Sequence, residues 1–341
     1  MNKKIIAAAV AASISAVATA DVSITGNANY EWFSTTTGTD GAAYTGDTEV
    51  NLSVKGKSGD TGVVLNMEFN EGHGGANLDV EDMYITTKVG DINVKAGSFG
   101  SGTTAFAGEI DSGARVTDKI DLNTSVGGWT VGYAQDEGTA GGNFNLDGSA
   151  VYATGTVGGV KVTVKESSDS YTGLGASGSL AGINYRIENK DADAANSDVF
   201  FADVSTTVSG ATVGYTVVDA DAACLITEGD SGILGLSINH TDGTVSSCAA
   251  GSSDGSADTR GHSATGATQF RISAPLAGNT LSAKMGTIDD GLGTGTDLDF
   301  TELKLTRALA SGATLNVVYD DYDQTATTSK EVIEIDLSVK F

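Results

Sequence analysis

Apolar and polar residues alternate along most of the chain. In the last segment the odd-numbered residues from 333 to 341 are all apolar, and the even-numbered residues between them are polar. A period of two residues is that of a β-strand whose two faces meet different surroundings. Comparable runs recur from Asp21 onward, and no stretch shows a sustained helical period. The pattern therefore predicts an all-β protein.

The connections between these runs alternate in length. Residues 90–91 and 127–128 are short links, whereas 98–118 and 136–148 are longer and polar. Short turns at one end and long loops at the other are typical of a transmembrane β-barrel with an apolar lipid face and a polar lumen. A sheet in lipid must pair all of its backbone groups, so its strands must form a closed ring. We expect a closed antiparallel transmembrane barrel over 21–341, as one domain.

The number of runs limits the number of strands. The pattern allows about 18 to 20 runs, and the stretch 219–265 is the ambiguous part. In such barrels short turns lie on the periplasmic side and longer loops on the extracellular side. Both termini should lie at the periplasmic end, which requires an even number of strands.

The first twenty residues have the organisation of a secretory signal peptide. Lys3 and Lys4 precede a short apolar segment, 5–17, and residues 18–20 read Ala-Thr-Ala. A positive start, an apolar centre and a small-residue cleavage site are the marks of such a signal. The apolar segment is shorter than the roughly 20 residues that span a bilayer as a helix. We expect 1–20 to be cleaved during export through the periplasm to the outer membrane.

Acidic residues outnumber basic ones. The first twenty residues contain two lysines and no acids, so the remainder has 19 − 2 = 17 bases against 44 acids. Proteins bind nucleic acids by neutralising phosphates with Lys and Arg, so a nucleic-acid partner is not expected. The 46 glycines and the single proline, Pro275, fit tight turns between uninterrupted strands.

The two cysteines, Cys224 and Cys248, fall in adjoining loop-like segments. An exported protein meets an oxidising compartment in which disulfides persist. We favour a disulfide that clamps one surface loop, with two free thiols as the alternative.

The ends of the chain and its third long connection resemble the general porin family of Gram-negative bacteria, especially its alphaproteobacterial members. The resemblance rests on the signal peptide, the final strand ending in Phe341, and the run 94–100 followed by a long connection to Asp118. It implies a homotrimer of barrels with 16 strands each. It also implies a water-filled channel for passive diffusion of small hydrophilic solutes and ions. The implied partners are outer-membrane lipid, lipopolysaccharide and the barrel-assembly machinery, for which Phe341 is the assembly signal.

The resemblance further implies a constriction inside the barrel. In the family, the loop after the fifth strand folds into the lumen and sets acids against basic side chains on the wall. Glu109 and Asp111 match the acidic side by position, and Arg115 and Lys95 complete the expected constriction. Opposed charges and pore diameter together set the selectivity of such a channel. Residue parity adds lumen-facing charges at Glu68, Lys161, Lys165, Arg186, Arg271, Lys284 and Lys304.

Clustered aspartates point to a different class of function. Carboxylates close together suit Ca²⁺ or Mg²⁺, and loop clusters occur at Asp289 and Asp290 and at Asp320, Asp321 and Asp323. The alternative function is a secreted or surface-exposed calcium-binding structural or adhesive β-protein. A solenoid of that kind needs a fixed repeat length, whereas the spacings here are irregular. A solvated acidic channel mouth is the simpler interpretation of these clusters.

Motifs of enzymes are weak in this chain. Residues 173–178 satisfy G-x-G-x-x-G, but that motif binds dinucleotides only between a strand and a helix. Residues 229–232 resemble the surroundings of a nucleophilic serine, yet a triad also needs a base and an orienting acid within reach. We expect no enzymatic activity and no catalytic residues.

Overall fold

The structure is a computed structural model. It describes residues 21–37, 42–70, 77–100, 115–135, 149–167, 171–192, 198–228, 236–239, 261–289, 297–323 and 330–341. The expected signal peptide lies outside the described residues and stays a prediction. No helix among these ranges is long and apolar enough to cross a membrane.

The described residues form strands β1 to β19. Their bounds are β1 Asp21–Thr37, β2 Ala43–Ser58, β3 Thr61–Asn70, β4 Asn77–Val89, β5 Ile92–Gly100, β6 Arg115–Val126, β7 Trp129–Gln135, β8 Ser149–Val157, β9 Val160–Ser167, β10 Tyr171–Leu180, β11 Ile183–Ala192, β12 Val199–Val208, β13 Ala211–Glu228, β14 Leu236–Asn239, β15 Gly261–Leu276, β16 Asn279–Ile288, β17 Leu298–Ala308, β18 Thr314–Asp323 and β19 Lys330–Lys340.

The strands close into one antiparallel barrel. Consecutive strands pair with each other, and β1 pairs with both β2 and β19. The exception is β14, a short strand that pairs only with the far end of β13, while β13 also pairs directly with β15. The wall therefore has 18 strands within the described part of the chain.

The predicted all-β closed antiparallel barrel is confirmed, but the strand number taken from the family resemblance is wrong. The barrel has 18 strands rather than 16. The difference follows from pairing, because each of these runs finds a hydrogen-bonding partner on both sides. The ambiguous stretch 219–265 lengthens β13 and begins β15. Its additional strand, β14, does not join the wall.

Strand register separates the two faces of the wall. Residues directly opposite each other in an antiparallel pair point to the same face. Ile335 lies opposite Trp32 and Val317, and Asp336 lies opposite Glu31 and Asn316. The apolar face is the outer one and carries large exposed side chains around the ring, such as Ile24, Met285 and Ile335. Polar side chains alternate with them and point into the lumen, as the two-residue period predicts.

The ring closes at the last residue. The backbone N–H of Gly26 donates to the carbonyl oxygen of Phe341 at 2.8 Å, and that of Phe341 donates to the carbonyl oxygen of Gly26 at 2.9 Å. The Phe341 ring covers Gly26, because a Cβ placed on this glycine would lie 2.8 Å from the ring. Gly26 therefore provides the space in which the terminal aromatic residue seats.

Short turns, the first residue of β1 and the last residue of the chain lie at one end of the barrel, which we call the turn end. The link between β12 and β13 consists of Ser209 and Gly210, with φ of 52° and 86°. Two successive positive φ angles belong to the tight hairpin turn whose twist matches that of the flanking strands. The opposite end of the barrel, where the longer connections of the sequence join the strands, is called the loop end.

The inner wall is not polar throughout. At the loop end, inward side chains of β12, β13 and β15 to β19 form a buried apolar cluster. Its members are Val199, Phe201, Val218, Ala220, Ala267, Ile288, Leu298, Phe300, Tyr322 and Val332. Phe201 is 0% exposed on the inner face, whereas Phe200 is 38% exposed on the outer face. The two neighbouring phenylalanines therefore face opposite sides of the wall.

Candidate functional site

The inner wall is the candidate functional site, because it is the polar surface that the barrel encloses. Register places all the residues predicted from parity on this face. They lie opposite other inward residues: Glu68 opposite Asn51, Lys161 opposite Ser177, Lys165 opposite Tyr152, Arg186 opposite Asp203, Arg271 opposite Lys284, and Lys304 opposite Ser282.

Arg271 is held by an ion pair across the wall. Its guanidinium donates to both carboxylate oxygens of Asp203, at 2.5 and 2.9 Å, and to the hydroxyl of Thr216 at 2.8 Å. Thr216 in turn donates to Asp203 at 2.7 Å. These residues belong to β12, β13 and β15, and Gly214 opposite Arg271 leaves room for the guanidinium. A two-pronged pair of this kind fixes geometry as well as charge.

Two further wall bases are paired in a similar way. The Nζ of Lys284 on β16 lies 2.9 Å from a carboxylate oxygen of Glu302 on β17. Arg186 bonds Glu188, which lies two residues along the same face of β11, with its Nε donating at 2.6 Å. The guanidinium of Arg186 also lies 5.6 Å from the ring centroid of Phe201. Much of the positive charge predicted for the lumen is therefore neutralised by neighbouring wall carboxylates.

Lys95, the wall base of the expected constriction, lies on the inner face of β5. Its Nζ lies 4.1 Å from the centroid of Tyr84 and 3.9 Å from that of Phe99. An ammonium over aromatic rings is attracted by their negative faces. Asp121 occupies the register position opposite Lys95 and accepts a hydrogen bond from the hydroxyl of Tyr152 at 2.8 Å. Lys95 is thus drawn toward the wall by its two rings.

The rest of the expected constriction falls on the connection between β5 and β6. Glu109 and Asp111 lie outside the described residues. Arg115 begins β6, and its side chain also lies outside the description. The same holds for the expected disulfide, because Cys224 is described only as backbone of β13 and Cys248 lies outside the described ranges.

The described acidic residues proposed for divalent cations lie on both faces of the wall and in a connection. On β18, Asp320 points inward and is 1% exposed, whereas Asp321 and Asp323 have the opposite parity. Asp289 follows β16, and Asp290 lies outside the described residues. Across the described ranges, no group of three or more His, Cys, Asp or Glu side chains is arranged to hold a metal ion.

Sequence reasoning missed the acidic partners of Arg271 and Arg186, which are Asp203 and Glu188. Asp203 and Arg271 are separated by 68 residues, and no local signal connects them. The partner of Arg186 could have been found, because Glu188 lies two residues away on the same strand face. The inward bases Lys55, Lys57 and Lys88 could also have been found from parity.

No protein-family model and no curated protein sequence matches the chain. Solved structures with similar folds exist at low sequence identity. OpdL of Pseudomonas aeruginosa has a TM-score of 0.63 at 12% identity, covering 94% of this chain and 99% of its own. OccK2 (OpdF) of the same organism, in complex with glucuronate, has a TM-score of 0.60 at 13% identity, with 94% and 98% coverage. A mutant of the Rh. blastica porin has a TM-score of 0.53 at 15% identity, with 94% and 100% coverage. At these identities the comparison establishes a shared barrel fold.

Proposed function

We propose that the protein is an outer-membrane diffusion porin that passes small hydrophilic solutes and ions. The observation that carries the proposal is a closed barrel of 18 strands with an apolar outer face and a charged inner face. Only a closed barrel lets β-strands cross lipid with every backbone group paired. An apolar exterior around a polar interior is the arrangement of an aqueous channel through the outer membrane.

The similar folds support the same proposal. The Rh. blastica protein is a porin, and the OccK2 structure contains glucuronate, a small polar solute. The chain would be exported by residues 1–20, inserted through its Phe341 strand, and surrounded by lipid and lipopolysaccharide. Assembly as a homotrimer is part of the proposal and rests on the family resemblance. Crosslinking of the detergent-solubilised protein tests the trimer.

The calcium-binding adhesive alternative is not favoured. A solenoid stacks repeats and leaves two open ends, whereas this sheet closes on itself between β1 and β19. The described acidic residues also do not gather into a metal-binding group. In a closed barrel the alternating faces separate lipid from lumen, and Phe341 joins the end of the last strand to β1.

The proposed channel should prefer cations modestly. Acids outnumber bases by 44 to 17 once residues 1–20 are removed. Of the wall bases, Arg186, Arg271 and Lys284 are already paired with carboxylates. A cleft with one sign of charge raises the local concentration of counter-ions. Cations are therefore the ions expected to concentrate at the acidic loop end.

Reconstitution in a planar lipid bilayer tests the proposal. The purified full chain should produce stepwise increases in conductance, and a KCl gradient should give a reversal potential of the sign that indicates cation preference. Fractionation should place the native protein in the outer membrane. Heat-dependent mobility in SDS gels shows whether the protein is correctly folded. If correctly folded protein gives no conductance, the channel function is contradicted.

A further inference from the structure

Four lysines share one area of the inner wall near the turn end. Lys55 and Lys57 lie on the last part of β2, Lys88 is the next-to-last residue of β4, and Lys95 lies on β5. Register makes them neighbours on the inward face. Lys57 lies opposite Gly62, which lies opposite Thr86, and Thr86 lies opposite Lys95. We call this group the turn-end lysines.

The turn-end lysines line a common recess. It has a volume of about 570 Å³. Its lining contains the four lysines and one acidic residue, Asp60, which lies in the turn between β2 and β3. Gly62 contributes to the space, because it lies between Lys57 and Thr86 without a side chain of its own. The lysines that line the recess lie on the inward face of the wall, and its volume is large enough for a small hydrated anion.

Three of these lysines have no ion-pair or hydrogen-bond partner among the described residues. Lys55, Lys57 and Lys88 are exposed, and no described side chain forms an ion pair or hydrogen bond with them. Two carboxylates occupy register positions opposite the group, Asp21 opposite Lys57 and Asp121 opposite Lys95. Asp121 is buried and already accepts bonds from Asn123 and Tyr152. Asp82 and Asp121 both act electrostatically on Lys95, whereas the lining of the recess itself contains four lysines and one carboxylate.

We propose that the turn-end lysines bind small oxyanions, of which phosphate is the simplest. Several unpaired ammonium groups around one recess concentrate anions, since low-dielectric walls focus the field of like charges. Phosphate accepts the hydrogen bonds that ammonium groups donate. The proposal rests on the proposed channel, because a water-filled lumen brings the anion to the recess. Along the channel, the sign of the charge would change from negative at the acidic connections of the loop end to positive at the wall of the turn end.

The test is phosphate block measured from each side of a single channel. Wild-type protein is recorded in a planar bilayer at roughly 50 mM KCl, where screening is weak. Inorganic phosphate is added to one chamber and then to the other, and in a parallel arm KCl is added to the same ionic strength. We expect phosphate to reduce the current from one chamber only, and KCl to have no such one-sided effect.

A matched pair of triple variants distinguishes a site from diffuse charge. Lys55→Gln, Lys57→Gln and Lys88→Gln together should raise the half-blocking phosphate concentration roughly fivefold or more and abolish the difference between chambers. The control replaces three inward lysines on separate strands, Lys161, Lys304 and Lys340, with Gln, and should change that concentration less than about twofold. Equal effects of the two variants, or block that KCl reproduces, overturn the proposal.

Failure of this proposal can be separated from failure of the channel function. Calorimetric titration of the detergent-solubilised full chain with inorganic phosphate measures binding without conduction. Binding that the first triple variant loses and the control retains supports the site even if no current is seen. If the protein conducts ions but neither assay detects phosphate binding, the proposed channel function is retained and the proposed phosphate site is rejected.

Discussion

At the residue scale, individual contacts decide how much charge the lumen presents. Arg271 and Lys304 are both assigned to the inner face from the sequence pattern and would be equivalent by sequence. In the structure Arg271 is bonded to Asp203 through two nitrogens, whereas no described carboxylate pairs with Lys304. Wall bases thus differ in what they contribute to ion selectivity, and the difference can be tested one residue at a time.

The first prediction concerns Asp203. Changing Asp203→Asn removes the carboxylate that neutralises Arg271 and leaves a positive charge on the wall. Breaking one partner of a nearly buried pair is costly, so the variant should also be less heat-resistant. We expect the reversal potential in a KCl gradient to shift toward anions. As a control, Asp299→Asn removes an outer-face carboxylate that accepts a bond from Thr287, and its shift should be smaller. An equal shift in both variants contradicts the role of the Arg271 pair.

The second prediction concerns barrel closure. In Gly26→Val the new side chain would overlap the Phe341 ring and the carbonyl oxygen of Asn51. Seating of the last strand should fail, so the yield of folded barrel in the outer membrane should fall several-fold. Heat-dependent mobility in SDS gels measures the folded fraction. Gly56→Val is the matched control, because a Cβ on Gly56 on the neighbouring strand meets nothing within 4 Å. Normal yield of Gly26→Val would mean that the closure contact is dispensable.

At the element scale, strands and connections have separate roles. The strands form a regular wall in which each inward position is fixed by register. The turns at the turn end are short and tight, whereas the loop end is joined by longer connections. Loops positioned by a rigid scaffold are where specificity usually resides. Selectivity should therefore respond to loop changes that leave the wall intact.

The third prediction concerns the connection between β5 and β6. Replacing Glu109 and Asp111 with Ala should shift the reversal potential toward anions and change conductance by less than about tenfold, since diameter and lining charge both set selectivity. The comparison is the double Ala variant of Asp289 and Asp290 at the end of β16. That variant should move selectivity far less. If the two double variants behave alike, the diffuse charge of the channel mouth sets the preference and the constriction prediction is wrong.

The fourth prediction concerns Asp289 at the loop end. Partial desolvation, together with the negative charges of Asp297 and Asp219, raises the pKa of the exposed Asp289 above its ordinary value. A carboxyl with a raised pKa in the folded state destabilises the fold when ionised, and this penalty is relieved as the pH falls through the folded-state pKa. Asp289→Asn should therefore raise the temperature at which the barrel unfolds in SDS at neutral pH. The gain should disappear in acid.

The control for Asp289 is Asp191→Asn, which removes an exposed carboxylate from a different strand, β11. Its effect on the unfolding temperature at neutral pH should be smaller. A gain for Asp289→Asn that persists unchanged in acid would exclude ionisation of this carboxyl as its cause.

At the scale of the whole molecule, the distribution of charge matters more than any one side chain. The chain is strongly acidic, whereas three of the four turn-end lysines have no partner within the described part of the chain. Screening acts over about 10 Å at 0.1 M salt and about 3 Å at 1 M. Long-range charge should therefore influence permeation only in dilute salt, and contact-range pairs such as that of Arg271 should retain their effect.

The fifth prediction follows from this screening. The ratio of K⁺ to Cl⁻ permeability should fall toward that of free diffusion as KCl rises from roughly 0.05 to 1 M. Reversal potentials measured across a fixed concentration ratio at each salt level give the change. A permeability ratio that does not depend on salt would show that a short-range site, rather than the summed charge, sets the preference.

The sequence by itself determined the strands and their two faces. A two-residue period is a local property, because each residue alternates sides relative to its own neighbours. Ile335 on the outer face and Asp336 on the inner face could therefore be assigned without knowing their partners. Strict alternation of short and long connections likewise indicated an even, closed barrel with both termini at one end.

The tertiary structure alone decided which strands pair and which charges meet. Periodicity does not state a pairing partner, and so the exclusion of β14 from the wall and the total of 18 strands followed only from hydrogen bonding between strands. The same reason hid the pair of Asp203 and Arg271, which register brings together across 68 residues. Phe201 faces inward because the inward faces of neighbouring strands are apolar at that level. Seven strands contribute side chains to this apolar environment, so it cannot be inferred from any single run of sequence.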